Sequence, residues 1–154
     1  MALGGSGKPN KGGSRRPCNQ FSSPGVRADV WGEFMKVLVV EDEPLIRLGI
    51  ASLVEEGGFV VTEAINADHA IRILEADPEI RVVITDVDMP GGMDGIRLAH
   101  YVRDRWPPIK LIVISGKVGV SPTELPQGSR FFAKPAREDA LLGALRELVA
   151  GGAA

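Results

Sequence analysis

The sequence predicts an α/β domain with a doubly wound, five-stranded parallel sheet. Its length of 154 residues has room for one ordinary domain and a modest appendage. Short, continuous apolar runs alternate with segments of helical spacing. Such strands are typical of a parallel sheet that is covered by helices on both faces and connected by right-handed crossovers.

Five short apolar runs, each rich in β-branched or aromatic residues, predict the strands. They are Lys36–Val40, Phe59–Thr62, Val82–Thr85, Leu111–Ile114 and Phe131–Ala133.

Start and stop signals predict the first helix after the first strand. Asp42-Glu43-Pro44 supplies an acidic cap and a proline for the first turn, and Gly57-Gly58 ends the helix. The apolar residues that keep helical spacing between them are Leu45, Ile46, Leu48, Ile50 and Leu53.

Three more helices follow from similar signals. Asn66 is expected to cap the second helix and Asp94 the third. Five apolar residues line a closing helix, namely Leu141, Leu142, Leu145, Leu148 and Val149. The crossover between the last two strands differs. Ser121–Glu124 has the arrangement of a capping box, but Pro126 stops the helix at once, so this crossover helix is predicted to be one turn long or absent.

Composition divides the chain at Met35. Residues 1–34 contain seven of the 19 glycines, five basic residues and two acidic ones, and have too little apolar side chain to offset the entropy of ordering. We interpret 1–34 as a disordered basic tail, with Met35 as an alternative start of the native protein. Residues 35–150 form the predicted domain and 151–154 a flexible end.

Composition also excludes several function classes. The net charge of −2 argues against general nucleic-acid binding. A lone cysteine, Cys18, excludes an internal disulfide, and His69 and His100 are too few for a histidine zinc site. No apolar run approaches the length of a membrane span. We therefore expect a cytoplasmic protein without a membrane partner.

Polar side chains follow four of the five predicted strands. Glu41 and Asp42 end the first strand, Asp86 the third, Ser115 the fourth and Lys134 the fifth. Ligands of open parallel sheets bind at this carboxyl edge. Three converging carboxylates call for a divalent cation, and carboxylate and water oxygens favour Mg²⁺.

This set of residues is suited to phosphoryl transfer. A carboxylate beside Mg²⁺ can attack a phosphoryl group and form an acyl phosphate without a Ser-His pair. A lysine and a hydroxyl would neutralise and orient the phosphoryl oxygens.

The motifs VLVVEDE, ITDVDMP, MDG, VIS and AKP, in this order, resemble the receiver domains of two-component response regulators. The resemblance runs from Lys36 to Val149. It implies a flavodoxin-like (CheY-like) fold with strand order 2-1-3-4-5. It also implies that Asp86 accepts a phosphoryl group, that Asp42 ligates Mg²⁺ directly, that Glu41 holds it through water, and that the backbone carbonyl of Asp88 is a further ligand.

The same resemblance implies roles for the remaining site residues. Ser115 would bond the phosphoryl group after activation, Lys134 would pair with it, and Phe131 matches the switch aromatic. Members of the family hold the Lys-Pro peptide bond before the last helix in cis, so we expect the Lys134-Pro135 bond to be cis.

The implied partners are a histidine kinase or histidine phosphotransferase as donor and a downstream protein as target, with this chain a monomer or weak dimer. Because the sequence ends shortly after the last predicted helix, we expect a stand-alone phosphorelay switch. It would not be an enzyme beyond its own phosphoryl transfer and dephosphorylation.

One departure from the family pattern lies after the phosphoacceptor. Gly91 and Gly92 make this loop one residue longer than usual, which bears on the placement of the Asp88 carbonyl. Asp88 and Lys117 flank the expected phosphoryl site, and we interpret them as an ion pair that slows attack by water, with two separately solvated charges as the alternative.

Two alternatives remain open from the sequence. Asp86 and Asp88 also resemble the Asp-x-Asp motif of haloacid dehalogenase-type phosphohydrolases, in which the first Asp is the nucleophile and the second the general acid. A binding module that is never phosphorylated is the other alternative.

Overall fold

A five-stranded parallel sheet forms the centre of the computed structural model, which describes residues 35–116 and 119–151. The tail 1–34, Lys117 and the end 152–154 lie outside the described residues. The strand order β2-β1-β3-β4-β5 confirms the expected topology. The strands are β1 (Lys36–Val40), β2 (Val60–Ala64), β3 (Ile80–Asp86), β4 (Lys110–Ser115) and β5 (Arg130–Ala133).

The three central strands are buried nearly throughout, as continuous apolar runs require. The predicted β2 began one residue too early and ended two residues too early, and the predicted β3 was too short at both ends. β2 extends to Ala64 because that residue pairs with Val40 of β1, although Glu63 interrupts the apolar pattern. β3 begins at Ile80 and includes Asp86, which pairs with Ile114. Pairing with the neighbouring strands determines where β2 and β3 end. The sequence of one strand alone does not show this pairing.

Within the described residues, four α-helices cover the two faces of the sheet. One layer of the core contains residues of α1 and α4, and the other contains residues of α2 and α3. The helices are α1 (Pro44–Glu56), α2 (Ala67–Ala76), α3 (Gly95–Arg105) and α4 (Glu138–Gly151). No helix within the described ranges is long and apolar enough to span a bilayer.

Side-chain caps begin two of these helices as predicted. The Asn66 side chain accepts a hydrogen bond from the backbone N–H of His69 at 2.8 Å, and Asp94 accepts one from Arg97 at 2.9 Å. The acidic cap predicted for α1 is wrong, because Glu43 occupies the cap position and makes no side-chain cap bond. Pro44 begins this helix and has no N–H to be capped.

The helical spacing of α1 is confirmed, but it does not show which side is buried. Leu45 is 82% exposed and Leu48 is 57% exposed, whereas Ala51 and Val54 are buried. α1 packs on β2 and β1, at one margin of the sheet, so only one stripe of the helix is covered. An apolar residue occupies nearly every side of this helix, and its sequence therefore has no polar face to mark the solvent.

The crossover from β4 to β5 contains one turn of 3-10 helix, Pro122–Glu124, which confirms the predicted shortening. Its capping box is formed, since the Ser121 N–H donates to Glu124 Oε2 at 2.8 Å and the Thr123 N–H to Ser121 Oγ at 3.3 Å. His100 Nε2 of α3 lies 2.6 Å from the Glu124 carbonyl oxygen and joins the turn to the helical layer.

Gly95 allows α3 to begin directly against the end of β3. Its N–H donates to the Val87 carbonyl at 2.9 Å. A Cβ atom at this position would overlap the backbone carbonyl of Asp86 and lie 2.8 Å from the Val87 Cα. The close approach of backbone to backbone therefore requires glycine here.

We expect Gly95→Ala to lower the free energy of unfolding by about 2–3 kcal/mol, because the backbone at Asp86 has to shift to admit a methyl group. Urea denaturation measures this change. Gly143→Ala in α4 is the matched control, since open space surrounds its Cβ position and alanine favours a helix by about 1 kcal/mol or less. Equal stability of the two variants would contradict the close approach.

Candidate functional site

Three carboxylates meet at the carboxyl edge of the sheet. Glu41 and Asp42 directly follow β1, and Asp86 is the last residue of the adjacent strand β3. One carboxylate oxygen from each lies within 4.8 Å of the others. Glu41 and Asp86 are buried and Asp42 is half-buried. The structure therefore brings together the three acidic residues that the sequence singled out.

Lys134 reaches this cluster from the far side of the sheet. It directly follows β5, and its N–H donates to the Ser115 carbonyl at 2.9 Å. Its Nζ donates to Asp86 Oδ2 at 2.9 Å and lies 3.5 Å from Glu41 Oε2. The peptide bond to Pro135 is cis, as expected. One ammonium group thus contacts two of the three carboxylates.

Ser115 and Phe131 lie on β4 and β5, the two strands that follow β3 in the sheet. Ser115 is the buried last residue of β4, one position beyond the residue that pairs with Asp86. Phe131 of β5 is half-buried and packs against the core layer that contains α2 and α3. Ser115 thus lies at the carboxyl edge of the sheet, whereas Phe131 lies near the start of β5, where it pairs with Val113.

The loop after Asp86 continues the sheet for one residue and then leaves it. The Val87 N–H donates to the Ile114 carbonyl at 3.1 Å, and the Asp88 N–H donates to Asp86 Oδ1 at 3.3 Å. Gly91 has a φ of 111°, a left-handed conformation that favours glycine. Asp88 thereby contacts the phosphoacceptor candidate through its backbone N–H.

Burial gives the site unusual proton affinity. Glu41 is only 1% exposed, and burial together with the negative charge of Asp86 raises its pKa from the ordinary 4.5 to about 7, with Lys134 acting in the opposite direction. Burial alone would lower the pKa of Lys134, but its hydrogen bond to Asp86 and the charges of both carboxylates outweigh burial and raise it. The ammonium does not balance three ionised carboxylates, so the site takes up further positive charge, either as a proton on Glu41 or as a cation.

The donor set fits Mg²⁺. Carboxylate oxygens are the ligands that this hard cation prefers, and it is commonly bound by a few carboxylates and completed by water. Neither histidine nor cysteine is part of the cluster, which does not match the nitrogen and sulfur ligands that zinc prefers. Glu41, Asp42 and Asp86 are the residues that could hold the ion.

Two residues that contact the site were missed from the sequence. The buried Thr85 hydroxyl donates to the Asp86 carbonyl at 2.9 Å. Arg47 Nη1 donates to the Glu41 carbonyl at 2.9 Å. Arg47 carried a signal that could have been used, because it is the only basic residue within α1.

Comparison with known proteins agrees with this fold. The family model of the response regulator receiver domain matches residues 37–146. A receiver protein from Sinorhizobium medicae has a similar fold, with a TM-score of 0.73 and 26% identity over 78% of this chain and 98% of that one. The receiver domain of the hybrid histidine kinase CckA gives a TM-score of 0.63 and 30% identity, over 74% of this chain and 98% of that one.

Curated relatives are longer proteins. The transcriptional activator protein ExaE of Pseudomonas putida is 32% identical over 124 residues, which are 77% of this chain and 57% of that protein. The sensor kinase CckA of Brucella abortus is 40% identical over 81 residues, 52% of this chain and 8% of the kinase. The similarity thus covers only part of each relative.

We expect the stability of metal-free Glu41→Gln relative to the wild type to rise between pH 5 and pH 8, by an amount on the order of 2–3 kcal/mol. In this window the folded wild type retains a proton that the unfolded chain has lost, so its stability falls as pH rises through the pKa of about 7. Denaturation in a chelator over this pH range measures it. Glu56→Gln, which removes an exposed carboxylate of α1, is the control. A constant difference between the two variants would contradict the assignment.

Proposed function

The chain belongs to the response regulator receiver family, and from this we propose that Asp86 accepts a phosphoryl group in a Mg²⁺-dependent reaction. Receiver domains are phosphoacceptor signalling modules that bind Mg²⁺ at an acidic pocket. The observation that carries the proposal is the contact of Lys134 Nζ with Asp86 Oδ2, inside a cluster of carboxylates.

In the proposed reaction an oxygen of the Asp86 carboxylate attacks the phosphorus of a phosphohistidine. The new O–P bond forms as the P–N bond breaks, and the imidazole nitrogen leaves with the electron pair and takes up a proton. Asp42 would hold Mg²⁺ directly, Glu41 through water, and Asp88 through its backbone carbonyl. When bound, the ion neutralises charge on the phosphoryl oxygens.

Lys134 and Ser115 act on the transferred group in this proposal. The Lys134 ammonium already donates a hydrogen bond to Asp86 Oδ2. We expect it to pair with an oxygen of the transferred phosphoryl group. The Ser115 hydroxyl is buried at the end of the neighbouring strand β4. It would donate a hydrogen bond to a second phosphoryl oxygen. Phe131 would then turn inward as the switch residue, changing the surface near β5.

The proposed readout is a protein contact. A histidine kinase or histidine phosphotransferase supplies the phosphoryl group, and the phosphorylated surface binds a downstream protein, with the chain a monomer or weak dimer in the cytoplasm. Stand-alone action stays a prediction, because the chain spans only part of its curated relatives. The family assignment favours this function over the phosphohydrolase that uses Asp86 and Asp88, and over the unphosphorylated binding module.

We expect incubation with acetyl phosphate and Mg²⁺ to add one phosphoryl group to the wild type and none to Asp86→Asn, because the amide is not a nucleophile at this site. Intact-mass spectrometry measures the adduct, and EDTA should prevent it. Asp104→Asn, which removes an exposed carboxylate of α3, should be phosphorylated as the wild type is. Phosphate on Asp86→Asn would contradict the assignment.

The interpretation of Asp88 and Lys117 as an ion pair over the acyl phosphate gives a rate prediction. Lys117→Ala should raise the dephosphorylation rate by up to about fivefold, the equivalent of about 1 kcal/mol for an exposed pair. The decay of the phosphorylated mass after donor removal measures this rate. Lys110→Ala, at the opposite end of β4, is the charge-matched control. A rate equal to that of the control would sink the interpretation.

A further inference from the structure

Arg47 of α1 lies against the segment that carries two of the three carboxylates. Its Nη1 donates to the Glu41 carbonyl at 2.9 Å and lies 3.5 Å from the Asp42 carbonyl. Its Nε donates to Glu63 Oε1 of β2 at 3.2 Å. Arg47 therefore connects the backbone at the carboxyl end of β1 to the Glu63 side chain of the neighbouring strand β2.

Among the residues that the structure describes, few other hydrogen bonds hold this backbone. β1 ends at Val40, and beyond it the Glu41 N–H makes one more sheet-like bond, to the Ala64 carbonyl at 3.1 Å. The next N–H that is held belongs to Glu43, which donates to the Glu41 carboxylate at 3.3 Å. Because Glu41 is buried, its carbonyl needs a donor, and Arg47 supplies it.

Arg47 contacts backbone carbonyl oxygens of the site, whereas Lys134 contacts its carboxylate oxygens. The guanidinium thus leaves the carboxylates of Glu41 and Asp42 available to a cation. Its own charge is offset by Glu63, and its side chain is only 18% exposed, so its orientation is defined by packing as well as by hydrogen bonds. The planar donor geometry of arginine suits contacts to a carbonyl and a carboxylate at once.

We propose that Arg47, held by Glu63, is a positioning residue that fixes the Glu41-Asp42 backbone and thereby raises the affinity of the acidic cluster for Mg²⁺. This inference rests on the proposed function of the site. Groups that orient metal ligands typically account for about a tenfold to hundredfold difference in metal affinity.

The test is the Mg²⁺ dissociation constant of the full chain, measured by isothermal titration calorimetry. We expect Arg47→Ala to raise it about tenfold. Arg146→Ala, which removes an exposed arginine of α4, controls for the loss of one positive charge and should bind Mg²⁺ as the wild type does. Arg47→Lys keeps the charge but not the two-sided contact, so its dissociation constant should lie between those of the wild type and Arg47→Ala.

Glu63→Ala keeps the proposal testable if Arg47→Ala fails to fold. Glu63 lies on an edge strand and is half exposed, so its removal spares the core. We expect a smaller loss of Mg²⁺ affinity, about threefold, since Arg47 keeps its carbonyl contacts. Because Glu63 acts through Arg47, the double variant should bind no more weakly than Arg47→Ala alone.

Phosphorylation by acetyl phosphate at varied Mg²⁺ separates positioning from a general structural role. In Arg47→Ala the Mg²⁺ concentration that gives half the maximal rate should rise, while the rate at saturating Mg²⁺ stays near that of the wild type. A lowered saturating rate with unchanged Mg²⁺ dependence, or unchanged affinity in Arg47→Ala, would overturn the inference and leave the proposed function standing. A wild type that binds no Mg²⁺ would overturn both.

Discussion

The repulsion among three carboxylates at one edge of the sheet is the constraint on which the site depends. Glu41, Asp42 and Asp86 come together because β1 and β3 are adjacent and both end there. Burial strengthens the repulsion, since little water is present to screen it. The large apolar area buried by β1, β3 and β4 holds the strands in this order despite the repulsion. Lys134 relieves part of the excess charge and leaves the rest to a cation.

The position of Asp86 is determined from several directions. Lys134 binds one carboxylate oxygen and the Asp88 N–H the other, while the Thr85 hydroxyl binds the backbone carbonyl. Gly95 lets α3 begin in contact with the same carbonyl. A carboxylate held at both oxygens and at its backbone has few orientations, which is the preorganisation that the proposed phosphoryl transfer needs.

Much of this arrangement could be predicted from the sequence, because its signals are local. Continuous apolar runs located the strands, and the positions after them located Glu41, Asp86 and Lys134. The buried side of α1 could not be predicted, since the helix has apolar residues nearly all round and its neighbours decide what is covered. Arg47 was missed for a related reason, because its partners lie on a loop and on a different strand.

The shortened crossover limits how a change at Asp86 can spread. Ser115 ends β4 before the crossover and Phe131 follows it, so both proposed switch residues lie at its ends. Within it, Leu125 is buried in the same core layer that Phe131 contacts, and Glu124 is joined to His100 of α3. Leu125 and the His100 contact therefore tie the crossover to the layer against which Phe131 packs. Close-packed interiors favour discrete arrangements over gradual ones, and the proposed switch at Phe131 would depend on this property.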